Sequence, residues 1–253
     1  MSLPTSTASP TPTRSTPRPA TPSHRSGYRT GLRWLLQTHG FMFLWALGML
    51  VVLVAAATII VSNVTTPAGS IVQHARQGLT WFPFSIAIVG ITTYTNIHIG
   101  AGLTRRSLGW AALTAAVVMA VAYAALFTLA LQLERAVYGW TGWAHGVDGA
   151  GGLFTSSGQV GLVVLDVGLL FLAGQLSGVL VGIVYYRAGG WWGTLALPLT
   201  AGPILLATPA LSTAALGDLG LAPRVVLVLL VLGAMSLAAH RLILGVQVRK
   251  LAT

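Results

Sequence analysis

The chain has 253 residues, 55% of them hydrophobic and only 7% charged, with a mean hydropathy of +0.79. A soluble domain carries about 25% charge, so this composition cannot cover a water-facing surface and reads as an integral membrane protein. The net charge of +10 sits on arginines that flank apolar runs, where membrane orientation requires them, and is read that way rather than as a nucleic-acid surface.

Residues 1–27 hold six Pro, six Ser and six Thr with Arg14, Arg18 and Arg25 and no acid. This stretch cannot bury enough apolar surface to fold and is expected to be a disordered cytoplasmic tail. No apolar core follows its start closely, as a signal peptide would require. Tyr28 to His39 places Arg29 and Arg33 four apart against Leu32, Trp34, Leu35 and Leu36. That pattern suits a short helix in the interface plane before the first span, or an early start to that span.

Six spans are expected across residues 28–253, at about 41–61, 80–103, 107–132, 160–186, 191–213 and 225–246. Each is near the roughly 20 residues needed to cross a hydrocarbon core. Between the first two, Ser62 to Leu79 reads as a polar loop carrying Arg76. The second span crowds Thr92, Thr93, Tyr94, Thr95, Asn96 and His98 into its later half. Polar groups on so many sides make lipid exposure costly, so that end is expected against protein or a wet cavity. A very short basic turn, Thr104-Arg105-Arg106-Ser107, joins it to the uncharged third span. Leu133 to Gln159 follows as a long loop with Glu134, Arg135, His145 and Asp148 and a Gly-Trp-Thr-Gly-Trp stretch suited to an aromatic belt. The fourth span carries Gly174, Gly178 and Gly182 at intervals of four, a ridge that lets another helix approach closely. Its Asp166, the sole acid inside any span, steps by four onto that ridge and is expected to face a partner helix. Pro198, Pro203 and Pro209 should kink the fifth span.

With the N-terminus inside, eleven basic residues fall on the cytoplasmic side (Arg14, Arg18, Arg25, Arg29, Arg33, Arg105, Arg106, Arg187, Arg241, Arg249 and Lys250), against Arg76, Arg135 and Arg224 outside. The expected fold is therefore all-α: an integral membrane bundle of six transmembrane helices with an N-terminal interfacial helix and both termini cytoplasmic, in the cell membrane.

The chemistry within reach is limited. Zero cysteines exclude disulfides, thiolate metal sites and cysteine nucleophiles. No GxxxxGK[ST] phosphate loop, HExxH, GxSxG or pair of intramembrane carboxylates occurs, so the chain reads as no enzyme and as lacking its own ATP-binding motif. His39, His98 and His240 lie near cytoplasmic span ends, where a polar ring is least costly, and no metal is assigned to them. Asp166 is open to two readings, a proton or ion site and a structural hydrogen bond.

The Gly102-Leu103-Thr104-Arg105-Arg106 turn after the second span, together with a glycine-rich fourth span ending in Tyr185-Tyr186-Arg187-Ala188-Gly189, resembles the membrane permease subunits of bacterial type-2 ABC exporters. The six-span layout and the interfacial first helix suit them as well. The resemblance covers about residues 28–248. It implies a permease that pairs with a second copy or a similar chain and with a separate ATP-binding subunit, on which ATP and Mg would sit, leaving this chain without a cofactor. Thr104, Arg105, Arg106 and Ser107 would form the ATPase-coupling turn; Thr92, Thr95, Asn96 and Asp166 would be candidates for the translocation path, and Gly174, Gly178 and Gly182 for helix packing. Membrane lipid is the other expected partner and nucleic acid is not. Two alternatives stand beside this reading: a proton- or ion-coupled secondary transporter using Asp166, and a non-transporting membrane assembly subunit.

Overall fold

The computed structural model describes residues 24–147, 152–211 and 219–247, which form seven helices. These are α1 (His24–Val64), α2 (Ile71–Gly100), α3 (Arg105–Thr141), α4 (Val160–Leu195), α5 (Leu197–Thr200), α6 (Gly202–Leu211) and α7 (Leu221–Leu244). The sole extended pairing among the described residues is an isolated bridge between Gly69 and Gly146. Four helices, α1, α3, α4 and α7, are long and apolar enough to cross a membrane. α2 falls outside that set because Gln73, His74, Arg76 and Gln77 at one end and Thr92, Thr93, Thr95, Asn96 and His98 at the other dilute its apolar centre.

Several boundaries differ from the sequence expectation. There is no separate interfacial helix, because residues 28–39 run straight into the first span as one helix of 41 residues. At 1.5 Å per residue α1 is about 60 Å long, twice a hydrocarbon core. Its first half packs into the bundle through Gly27, Gly31, Leu35 and His39, one residue per turn, while most large side chains from Phe41 to Val64 face outward. Of the expected tail, His24 to Gly27 belong to α1 and residues 1–23 lie outside the described residues. The expected 62–79 loop ends at Ser70, whose side chain caps α2 by accepting from Gln73 N at 3.0 Å. Arg76 is therefore a helical residue and not a loop residue. The third span continues two and a half turns past Gln132 and stops at Gly142, which adopts φ +73°. In place of one kinked fifth span, α4 turns sharply at Gly189 (φ 82°, ψ −179°) and runs to Leu195, and the proline-rich remainder is broken into α5 and α6. Pro198 and Pro203 sit in the first turns of these pieces, where a missing N–H is harmless. The expected loop carrying Asp218, together with Asp148, Arg249 and Lys250, lies outside the described residues.

Packing contacts set the helix directions. α1 and α3 are parallel, with Gly27 against Ser107, Gly31 against Ala111 and Phe43 stacked edge-on to Tyr123. α2 runs opposite to them, with His98 bonded to Ser107 at one end and Glu134 bonded to Ile71 N at the other. α4 is parallel to α2 and lies against it along the glycine ridge. A Cβ on Gly178 would come within 2.4 Å of Phe84 O and one on Gly182 within 2.4 Å of Ile91 Cγ2. α4 is apolar on every side, and 83% of its most apolar stretch is buried, against 6% for α1. It is the central helix, as an all-round apolar helix must be.

Candidate functional site

Two polar layers cap opposite ends of this bundle. Along α4, Asp166 and Arg187 are 21 residues apart, about 32 Å at 1.5 Å per residue, which is close to one hydrocarbon thickness. Asp166 and Arg187 therefore mark two ends of the bundle separated by about one hydrocarbon thickness.

At the Asp166 end, Arg76 Nη2 is 2.7 Å from Asp166 Oδ2. The carboxylate is completely buried and the arginine nearly so. Asp166 Oδ1 also accepts from Leu153 N at 3.2 Å, which ties the loop before α4 to the pair. Gly152 passes so close that a Cβ there would stand 2.7 Å from Asp166 Oδ2. Asp166 does face a partner helix, α2, and the residue it meets is one that the sequence pattern assigned to a loop. A buried acid at a span end requires a cation, and Arg76 lies in helical register with Val72, Leu79, Thr80 and Pro83, the buried face of α2. That register was the available signal.

One turn beyond, Glu134 near the end of α3 serves the start of α2. Its Oε1 accepts from Ile71 N at 2.7 Å and Val72 N at 3.0 Å, and its Oε2 accepts from the Ser70 hydroxyl. A carboxylate on the free N–H groups of a helix start neutralises the positive end of its dipole. Oε2 also accepts from His145 Nε2 at 3.0 Å, and Ser157 donates to His145 Nδ1 at 3.1 Å. Gln132 Nε2 donates to Ser157 O at 2.7 Å, and Ser70 N donates to Gly146 O at 2.8 Å. This network fastens the described parts of the expected 133–159 loop over the bundle end. None of these partnerships follows from sequence spacing.

The Ser157–His145–Glu134 file has the membership of a hydrolytic relay, but its geometry argues against that use. The serine meets Nδ1 and the carboxylate Nε2, the reverse of the usual attachment. Ser157 is buried, at 3% exposure, and Glu134 is already engaged by two backbone amides. The file works as a latch.

At the Arg187 end, the short turn between α2 and α3 is held firmly. Gly102 adopts φ +76°, a conformation that favours glycine. Thr104 caps α3 by accepting from Ser107 N at 3.2 Å. Ser107 Oγ donates to Thr104 O at 2.7 Å, so it accepts from His98 Nε2 at 2.9 Å. Arg105 and Arg106 project from this braced turn into solvent. Close by, Arg187 Nη1 donates to Leu242 O at 2.7 Å, and His240 packs on Trp110 with ring centres 5.0 Å apart.

The four residues considered for a translocation path do not converge. Thr92 and Thr95 direct their hydroxyls back to Ile88 O and Ile91 O of their own helix. Asn96 is exposed and accepts from the Tyr186 hydroxyl beside Arg187. Asn96 and Arg76 are 20 residues apart on α2, about 30 Å, so Asp166 and Asn96 belong to opposite layers. Among the described residues no group of three or more His, Asp or Glu is placed to hold a metal.

No known protein family, curated protein or solved structure matches this chain. The fold defines its class: with four helices long and apolar enough to cross a membrane, it is an all-helical, multi-pass membrane protein.

Proposed function

We propose that this chain is the membrane-spanning permease subunit of an ATP-driven exporter, with six crossings, both termini in the cytoplasm, and its motor on a separate ATP-binding subunit. The observation that carries the reading is the braced α2–α3 turn. It presents Arg105 and Arg106 at the end of the bundle where Arg29, Arg33, Arg187 and Arg241 also gather, the charge pattern of a cytoplasmic face. A push on this tip acts on α2, which is capped at its far end by Glu134 and pressed along its length against the glycine ridge of α4. The tip is thus joined to the central helix by contacts too close to slip. ATP and Mg belong to the partner in this reading.

A second copy, or a similar chain, completes the translocation path. Within one chain Thr92 and Thr95 are spent on local bonds, whereas Thr93 and Asn96 open outward, where a second chain would meet them. The competing reading, a proton- or ion-coupled secondary transporter, draws on the complete burial of Asp166 beside Arg76.

Purification from the native membrane in mild detergent tests the first reading. A stoichiometric partner carrying a phosphate loop is expected, and Arg105→Glu with Arg106→Glu should release it while leaving the bundle folded. A chain that purifies only with itself, and whose transport survives that double change but fails with Asp166→Asn, would replace this reading with the second.

A further inference from the structure

At the Arg187 end of the bundle, the start of α3 and the end of α7 bring two arginines together on the outer surface. The His240 ring lies on Trp110 with ring centres 5.0 Å apart, and a Cβ on Gly109 would stand 2.6 Å from His240 Nδ1. The ring reaches this far into α3 only because position 109 is a glycine, and it pins the end of α7 to the start of α3. Arg106 precedes Trp110 by one turn and Arg241 follows His240, and both guanidinium charges act on the ring between them. Both arginines are exposed. Neither has an acid to pair with, because Glu134 and Asp166, the two acids among the described residues, are engaged in the opposite layer. The 2.7 Å bond from Arg187 Nη1 to Leu242 O sets this end of α7 level with Arg187. That level is about one hydrocarbon thickness from Asp166.

We propose that Arg106 and Arg241, flanked by Trp110, form a binding site for the phosphate of an anionic phospholipid headgroup. Two guanidiniums without a counter-charge require an anion, and their planar forks match phosphate oxygens in pairs. The occupant must also suit the surface beside them. From the arginines toward the bundle centre, the outer faces of both helices are apolar: Val117 and Val121 on α3 and Leu237 and Leu230 on α7 are all exposed. The acyl chains of a lipid cover those faces, whereas a free phosphate gains nothing from them. Trp110 is half-exposed between the charged and the apolar regions, at the depth where an indole settles in a bilayer. A lipid with a zwitterionic headgroup covers the same apolar faces but brings no net charge to offset the pair, so the site selects by headgroup charge. The inference rests on the membrane class of the chain and not on the transporter reading, since Arg241 lies outside the proposed coupling turn.

The full-length chain in bilayer discs of phosphatidylcholine, doped with a photoactivatable phosphatidylglycerol, tests it. The probe should label α3 or α7 beside Trp110, and unlabelled phosphatidylglycerol should displace it better than phosphatidylcholine does. At about a five-fold gain for each arginine beside an anionic headgroup, the selectivity of the pair should be about twenty-five-fold, falling about five-fold in Arg241→Gln and to near unity in Arg106→Gln with Arg241→Gln. Should the double variant fail to fold, Arg241→Gln alone gives the reading. Arg29→Gln with Arg33→Gln removes the same charge from α1 at the same end of the bundle and should leave the selectivity intact. Labelling confined to other helices, or selectivity unchanged in the Arg241 variants, would overturn the proposal. An equal loss in the α1 variant would overturn it too, because a diffuse field and not a site would then attract the lipid. So would displacement of the probe by inorganic phosphate beyond that by chloride at equal ionic strength, the mark of a free-anion site.

Discussion

Breaking the Arg76–Asp166 pair is the most informative perturbation of this bundle. Both charges are withdrawn from water, at 6% and 0% side-chain exposure, and lie 2.7 Å apart. Removing one partner of such a pair leaves the other buried and uncompensated, which costs about 3–5 kcal/mol, whereas replacing both with neutral groups is often close to neutral. Asp166→Asn keeps the shape that Gly152 packs against, but its one amide oxygen replaces only one of the two carboxylate oxygens, so its NH2 meets either Leu153 N or the guanidinium donor-to-donor, and its cost belongs within that range, about 3–5 kcal/mol. Arg76→Met removes every donor that the carboxylate has on α2 and should cost at least as much. The double variant should be more stable than either single one. Unfolding free energies from steric trapping in bilayer discs measure all four corners of this cycle. If the double variant loses the sum of the two single losses, the charges are not coupled and the pair does not hold α2 to α4.

Other perturbations follow from the same contacts. Glu134→Gln should cost about 1–3 kcal/mol, the range for weakening charged hydrogen bonds to a helix start; faster amide exchange confined to the first turn of α2 is the measurement. Gly178→Ala places a Cβ 2.4 Å from Phe84 O and 2.7 Å from Ala87 Cβ, and should destabilise by about 1–3 kcal/mol as an overpacked contact. Gly48→Ala, with open space around it, should change stability by less than about 0.5 kcal/mol, so equal losses at the two positions would refute the ridge. Gly102→Ala forces a side chain into φ +76° and should cost about 1–3 kcal/mol, read as a lower unfolding free energy in the same bilayer-disc assay.

The helical class was legible because 7% charge and uninterrupted apolar runs leave a chain few options. The glycine ridge was legible as well, since a repeat of four marks one helix face whatever that face meets. What it meets was not. The partner of Asp166 stayed hidden because Arg76 is flanked by Gln73, His74 and Gln77, whose polarity masks the buried register of Val72, Leu79, Thr80 and Pro83. The Glu134 latch joins residues 62 to 64 positions apart across two helices and a loop, and hydrophobic periodicity carries no information about such pairs.

The number of crossings can be argued from direction rather than hydropathy. α1 and α3 are parallel neighbours, so if both span the bilayer, the chain between them must return across it, and α2 is the helix that does so. α4 and α7 are also parallel: Ala173 shares an apolar pocket with Leu232 near one level, and Arg187 reaches Leu242 O further along both helices. The broken segment of α5 and α6 must then be a second return, and it lies beside α4 with Ile204 against Gly174. If all four apolar helices span, these two returns would bring the chain to the proposed six crossings, the return helices being the ones whose polar residues or prolines obscure them. The absence of native cysteine makes the test direct. Single cysteines replacing Arg105 or Arg241 should react with an impermeant maleimide only from the cytoplasmic side. One replacing Trp140, which is 86% exposed beside the Glu134 latch, should react only from outside. Labelling of Arg105→Cys and Trp140→Cys from the same side would mean that α3 does not cross, and the argument from parallel pairs would fail with it.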